Sequence, residues 1–298
     1  MVTKGFVVVG VDVPETSGAA VRWAAQTAAL HGVTLKMVHS VEGVAGLPSG
    51  VVAVDDSSTR ALLRDNTDAL STLDQAVDQV RDQFPDLAVE AIEVVGDNVK
   101  SLLAHQDDSL LVVGTGRRSA LSELVLGSTS LGVAMHATSP VAVVPPGSGE
   151  DGAPTGVIAV AVDGSADSAV AARVACYEAR ARGARVVAVN TWALEVVDGF
   201  VVTESDETEF AAIQERQRQV AEKSLASARR DYPDVEIQLE VVHGRASGTL
   251  IERTGQVDLM VLGSRGLGGF SGKLLGSVSQ RVLRGAACPV IIVKSESR

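Results

Sequence analysis

Eighteen residues near the end of the chain, Gly263 to Gln280, read "GSRGLGGFSGKLLGSVSQ" and follow a strand-like "LMVLG" that begins at Leu259. Glycine allows φ > 0 and lets another molecule come close to the backbone, and amides at a helix start favour anions. A glycine-rich turn between a strand and a helix is therefore a candidate phosphate cradle. The helix is expected to begin near Ser277, with Val278, Val282 and Leu283 on one face. Taken alone, the run reads equally well as a surface loop that only needs turn residues.

Two familiar phosphate motifs can be tested on it. A Walker A loop needs glycine five residues before its GK pair and Ser or Thr after it, whereas Gly272 and Lys273 have Leu267 before and Leu274 after. The dinucleotide fingerprint follows the first strand of its unit, but this cluster follows the last strand but one, which disfavours a Rossmann dehydrogenase.

The elements that must position such a loop occur twice. "GFVVVGVD" ending at Asp12 recurs as "GVIAVAVD" ending at Asp163, 151 residues later. "LVVGTG" from Leu111 recurs as "MVLGSRG" from Met260, "LVLGSTS" from Leu124 as "KLLGSVS" from Lys273, and "TSPVAVVP" from Thr138 as "ACPVIIVK" from Ala287. The linker "PPGSGEDGAPTG", Pro145 to Gly156, joins the copies, which sets domains of 1–147 and 155–298.

In each half, apolar strand-sized runs alternate with helical periodicity, which predicts an α/β fold of two tandem doubly wound domains, each with a five-stranded parallel sheet flanked by helices. The first-half strands are expected near Phe6 to Asp12, Thr34 to Val41, Ala88 to Val95, Ser109 to Thr115 and Val141 to Pro145. Those of the second half are expected near Gly156 to Asp163, Arg185 to Trp192, Val235 to Val242, Asp258 to Ser264 and Val290 to Lys294. Leu62, Leu63, Ala69, Leu70, Leu73, Val77, Val80 and Phe84 form a core-facing helical stripe. Ligands of open parallel sheets bind beyond the carboxyl ends of the strands. If strands one and four are neighbours, Asp12 and Asp163 each face a glycine loop across one crevice.

These residues resemble the universal stress proteins in their tandem form, whose nucleotide-binding members carry glycine, two residues, glycine, nine residues, glycine and then Ser or Thr. Gly263, Gly266, Gly276 and Ser277 match that spacing, and the resemblance covers nearly the whole chain. It implies an ATP-binding regulatory protein, a stress-response nucleotide sensor rather than an efficient catalyst, with one site per domain. In the second half it implies Gly263, Ser264, Arg265, Gly266, Gly268, Gly276, Ser277 and Val278 around the phosphates, Asp163 near the ribose, and Ala161 and the backbone of Val189 beside the base. In the first half it implies Gly10, Asp12, Val38, Gly114, Thr115, Gly116, Arg117, Gly127 and Ser128. There Arg117 takes the place of the second glycine, where it either pairs with phosphate or fills its space. The resemblance also implies edge pairing through Val141 to Val144 and Val290 to Val293, and a homodimer.

Simpler roles compete for the same residues. Asp12, Asp163, Ser128 and Ser277 could each cap the following helix, and Arg117, Arg118 and Arg265 could be solvated surface cations. His31, His39, His105, His136 and His243 show no metal-like spacing, and only His39 ends a strand near the crevice, as a lining or hydrogen-bonded residue. The alternatives to a regulator are a slow ATPase in the same pocket and a flavin-binding electron carrier. Mg²⁺ could accompany ATP, but no metal ligands are identifiable. The loops Gly43 to Ser58 and Leu194 to Phe210, which follow the second strands, are expected to act as lids.

Bulk properties set the frame. The chain has 298 residues, 46% of them hydrophobic and 3% aromatic, so its length suggests about two aliphatic cores. A formal charge of −11 opposes nonspecific attraction to nucleic acid or anionic membranes. The apolar runs are too short to span a bilayer, no secretory signal precedes the first strand, and Cys176 and Cys288 read as buried small hydrophobes, all consistent with the cytoplasm.

Overall fold

A computed structural model describes residues 5–12, 14–41, 52–53, 67–107, 109–116, 126–148, 153–193, 207–267 and 275–295. The chain divides into two compact units, 1–152 and 153–298.

In the first unit, β1 (Phe6–Val11), α1 (Pro14–His31), β2 (Thr34–Val41) and the two-residue β3 (Val52–Ala53) come first. They are followed by α2 (Thr67–Gln83), β4 (Val89–Val95), α3 (Asn98–Leu103), β5 (Ser109–Gly114), α4 (Ser128–His136) and β6 (Val141–Val144). The sheet order is β3-β4-β2-β1-β5-β6, parallel except for β3, which runs antiparallel to β4. Five parallel strands are present as expected, and β3 is an addition from inside the stretch read as a loop.

The second unit repeats the plan with β7 (Val157–Ala161), α5 (Ala166–Arg182), β8 (Arg185–Trp192), α6 (Glu207–Asp231) and β9 (Ile237–His243). It continues with α7 (Ala246–Thr254), β10 (Leu259–Gly263), α8 (Ser277–Gly285) and β11 (Val290–Val293), in the sheet order β11-β10-β7-β8-β9. In both units the first strand lies beside the strand that precedes the glycine loop, β1 beside β5 and β7 beside β10.

The strands form because they are covered on both faces. Val7, Val8, Val9, Leu110, Leu111, Val112, Ile158, Ala159, Val160, Met260 and Val261 have no exposed surface, which explains their unbroken hydrophobicity. Each fully buried Val, Leu or Ile contributes about 1.5–3 kcal/mol relative to exposure. Leu73, Val77 and Val80 of the expected stripe are buried, while Phe84 is half-buried. Leu62 and Leu63 lie outside the described residues. Helix α8 buries Val282 and Leu283 of the expected face together with Ser279, while Val278 is half-buried.

The start of the second unit is tied to its own sheet. The amides of Thr155 and Gly156 donate to the two oxygens of Asp258 at 2.7 and 2.8 Å, which anchors the chain entering β7 beside the residue entering β10. Cys176 and Cys288 are buried free thiols, as expected, and burial pushes them up to about 11 and about 12. Among the described residues no helix is long and apolar enough to cross a membrane.

Candidate nucleotide site

Each glycine loop turns the chain from the end of an inner strand into a helix. The Gly127 amide donates to the Thr115 carbonyl at 2.7 Å, and the Gly276 amide to the Ser264 carbonyl at 2.8 Å. Thr115 and Ser264 are themselves held by the last strands, their amides donating to Val144 and Val293 at 3.1 and 2.7 Å. The Ser279 hydroxyl donates to the Gly263 carbonyl at 2.8 Å, and Ser130 does the same to Gly114. These two serines were missed in the sequence, although "GSTS" and "GSVS" repeat them at matching places.

Gly127 and Gly276 cap α4 and α8 in extended conformation, and neither helix has a side-chain cap bond. The capping role considered for Ser128 and Ser277 is therefore overturned, because both already sit inside the helix at its first position. A glycine cap leaves the first-turn amides without a side-chain acceptor, the arrangement that favours an anion.

In the first unit these parts border a cavity of about 250 Å³. Gly10, Asp12, Val38, Gly114, Gly116, Gly127 and Ser128 all line it, so seven expected residues converge. Thr115 lies beneath at 2% exposure, and its hydroxyl finds no partner among the described residues. Arg117 and Arg118 lie outside the described residues. Gly116 holds φ +96°, a left-handed conformation that requires glycine at that turn. His39 lines the cavity and donates from Nδ1 to the Val11 carbonyl at 2.9 Å, the lining and hydrogen-bonded role expected of it. In the second unit Asn190 takes its place, donating from Nδ2 to the Val162 carbonyl at 2.8 Å.

The second unit brings its acid and its loop together. Asp163 accepts from the Leu267 amide through Oδ2 at 3.2 Å and from the Ser165 amide through Oδ1 at 2.9 Å. The cap of α5 is Ser165, whose hydroxyl accepts from the Ser168 amide, so the capping role considered for Asp163 is also overturned. Ala161, the last residue of β7, pairs with Val189 inside β8, matching Gly10 with Val38 in the first unit. Gly268 and most of both expected lid loops lie outside the described residues. Within those loops, Val52–Ala53 forms β3 and Glu207 starts α6.

Atoms of the protein itself crowd the loop glycines. A Cβ on Gly266 would lie 2.5 Å from Asp163 Oδ2, one on Gly276 3.1 Å from the Ser264 carbonyl oxygen, and one on Gly263 2.8 Å from Asp167 Cβ. Asp167, absent from the expected set, is the most connected side chain here. At 4% exposure it accepts through Oδ2 from Ser264 Oγ at 2.8 Å and the Arg265 amide at 3.1 Å. Through Oδ1 it accepts from the Ser295 amide at 2.9 Å and Ser295 Oγ at 2.5 Å. Burial alone would raise its pKa, but the bonds from Ser295, Ser264 and Arg265 outweigh it and hold the carboxyl below its usual value. Burial lowers the pKa of nearby Lys294, helped by Arg265 and opposed by Asp167. Among the described residues, no three His, Cys, Asp or Glu side chains form a group that could hold a metal ion.

The model of the Universal stress protein family matches residues 6–145 and again 155–294. A universal stress protein of Mycolicibacterium smegmatis is 34% identical over 305 residues, covering 98% of each chain. One from Mycobacterium tuberculosis H37Rv is 32% identical over 302 residues, covering 97% of this chain and 96% of its own. The crystal structure of a universal stress protein from Archaeoglobus fulgidus DSM 4304 aligns over 99% of this chain and 98% of its own, with a TM-score of 0.62 at 18% identity, which speaks to the fold.

The Asp167 carboxyl sets a testable pH dependence. Its folded pKa lies below the unfolded value, so its stabilisation is complete above about pH 3.9 and is lost as pH falls through the folded value. Asp167→Asn should lower stability at pH 7, and the gap from the unsubstituted chain should shrink below about pH 3.9 in urea titrations. A gap that stays constant down to the acid limit would contradict this.

Proposed function

The chain belongs to the universal stress protein family, and from that premise we propose that it is a regulatory protein that binds ATP, or another adenine nucleotide, in the crevice of each unit. The observation that carries the reading is the first unit's cavity, whose wall combines the Asp12 end of β1, Val38 of β2, Gly114 and Gly116 after β5, and the glycine-capped start of α4. Each part suits one portion of a nucleotide. First-turn amides and the Ser128 hydroxyl offer donors to phosphate, the Asp12 carboxylate offers an acceptor to ribose hydroxyls, and Val38 within β2 offers an apolar wall to the base. In the second unit Asp163 meets its own loop amide at Leu267 and would turn to the ribose when a ligand enters.

Binding would act by favouring one conformation or assembly, to the extent that ATP prefers it. Dimerisation through β6 and β11, each the last strand of its unit's sheet, belongs to the same reading, because an apolar edge strand is an aggregation hazard unless paired or covered. Light scattering should then give the mass of two chains, and a strictly monomeric mass would remove this part.

Calorimetry with ATP tests the proposal. Gly276→Glu places bulk beside the Ser264 carbonyl and a negative charge at a helix start meant for phosphate. The unsubstituted chain should bind about two ATP and the variant about one, with unchanged circular dichroism, since the buried strands lie elsewhere. If the variant binds none while the original binds one, Arg117 closes the first site. No binding by the unsubstituted chain contradicts the proposal.

A further inference from the structure

Asp167 links three chain segments that the sheet brings to one end: the first turn of α5, the Ser264–Arg265 start of the glycine loop, and Ser295 beyond β11. It accepts a hydrogen bond from the loop's own backbone at Arg265, and the Arg265 guanidinium lies 4.0 Å from the same oxygen. Gly263, the first glycine of the spacing, is hydrogen at its side-chain position where Asp167 packs, since a Cβ there would stand 2.8 Å from Asp167 Cβ.

The first unit carries different residue types at the matching positions. Aligned through the repeat, Thr16 stands for Asp167, Thr115 for Ser264, Gly116 for Arg265 and Pro146 for Ser295. Proline has no amide hydrogen to donate. Thr115 is left with a buried hydroxyl that has no partner among the described residues, at the place where Ser264 donates to the carboxylate. A buried carboxylate thus holds the loop frame in the second unit, and the matching position of the first unit is the uncharged Thr16.

We infer that Asp167 is a positioning residue, a clasp that holds the second unit's glycine loop ready for phosphate before any ligand arrives. In the first unit, loop ordering is left to the ligand. This rests on the nucleotide reading proposed above. The carboxylate acts through the loop rather than by touching the nucleotide, and a negative group behind the amides leaves their order, not their charge, as its contribution. A loop ordered in advance loses less conformational freedom on binding, which favours the second site.

The consequence is selective for phosphate. In a Gly127→Glu background, which disables the first site, Asp167→Asn should weaken ATP binding by about tenfold or more, while adenosine, which lacks phosphates, should bind within about twofold of the parent. Ser295→Ala, which removes a hydroxyl that bonds Asp167 on its other oxygen, should weaken ATP by roughly threefold and serves if Asp167→Asn does not fold. Equal loss of ATP and adenosine would reduce Asp167 to a structural residue and overturn the inference. Unchanged ATP affinity in both variants would overturn it as well. Hydrogen exchange at Arg265 in the ligand-free chain keeps the two ideas apart: faster exchange in Asp167→Asn supports the clasp, and unchanged exchange overturns it whether or not ATP binds. Failure of the unsubstituted chain to bind ATP would instead overturn the proposed function.

Discussion

One backbone hydrogen bond closes each glycine loop, from Gly127 to Thr115 and from Gly276 to Ser264. It brings a helix start back to the end of the strand that the chain has just left. Because that strand lies beside β1 or β7 in a parallel sheet, the same closure sets the helix amides near Asp12 or Asp163. Everything chemical at the site follows from this constraint. The glycine caps, the serines tied back to Gly114 and Gly263, and the hydrogen-bonded Thr115 and Ser264 backbones all serve the closure. A ligand would use what the closure leaves over, namely the first-turn amides and the facing acid.

Much of this was legible in the residues because buried parallel strands announce themselves as unbroken apolar runs. Thr34 to Val41 and Arg185 to Trp192 are strands residue for residue. Elsewhere the sequence extended a strand by a residue or two, placing Asp12, Thr115, Asp163 and Ser264 inside ladders that stop just short of them. Thr115 and Ser264 still donate their amides to the adjacent strands just past the ladders, and hydrophobicity carries no mark of where pairing ends. The two-residue β3 had no period to detect. Asp167 was illegible for a different reason: its partner Ser295 is 128 residues away, and as a first-turn acid it looks like any helix-dipole residue.

The repeat was the strongest signal, and its failures locate the asymmetry. Arg117 and Gly266 exchange types across the halves, as do Gly116 and Arg265. In the second unit the Asp163 carboxylate lies against Gly266, where a Cβ would stand 2.5 Å from Oδ2, and in the first unit Gly116 holds a left-handed conformation. The two loops therefore share a frame and differ in the residues that hold it.

An experimental structure of the chain crystallised with ATP tests the central claim most directly. The phosphates should lie against the glycine-capped starts of α4 and α8, with Asp163 released from the Leu267 amide and turned to the ribose. A nucleotide bound elsewhere, with both helix starts empty and the bond from Leu267 to Asp163 intact, would contradict it.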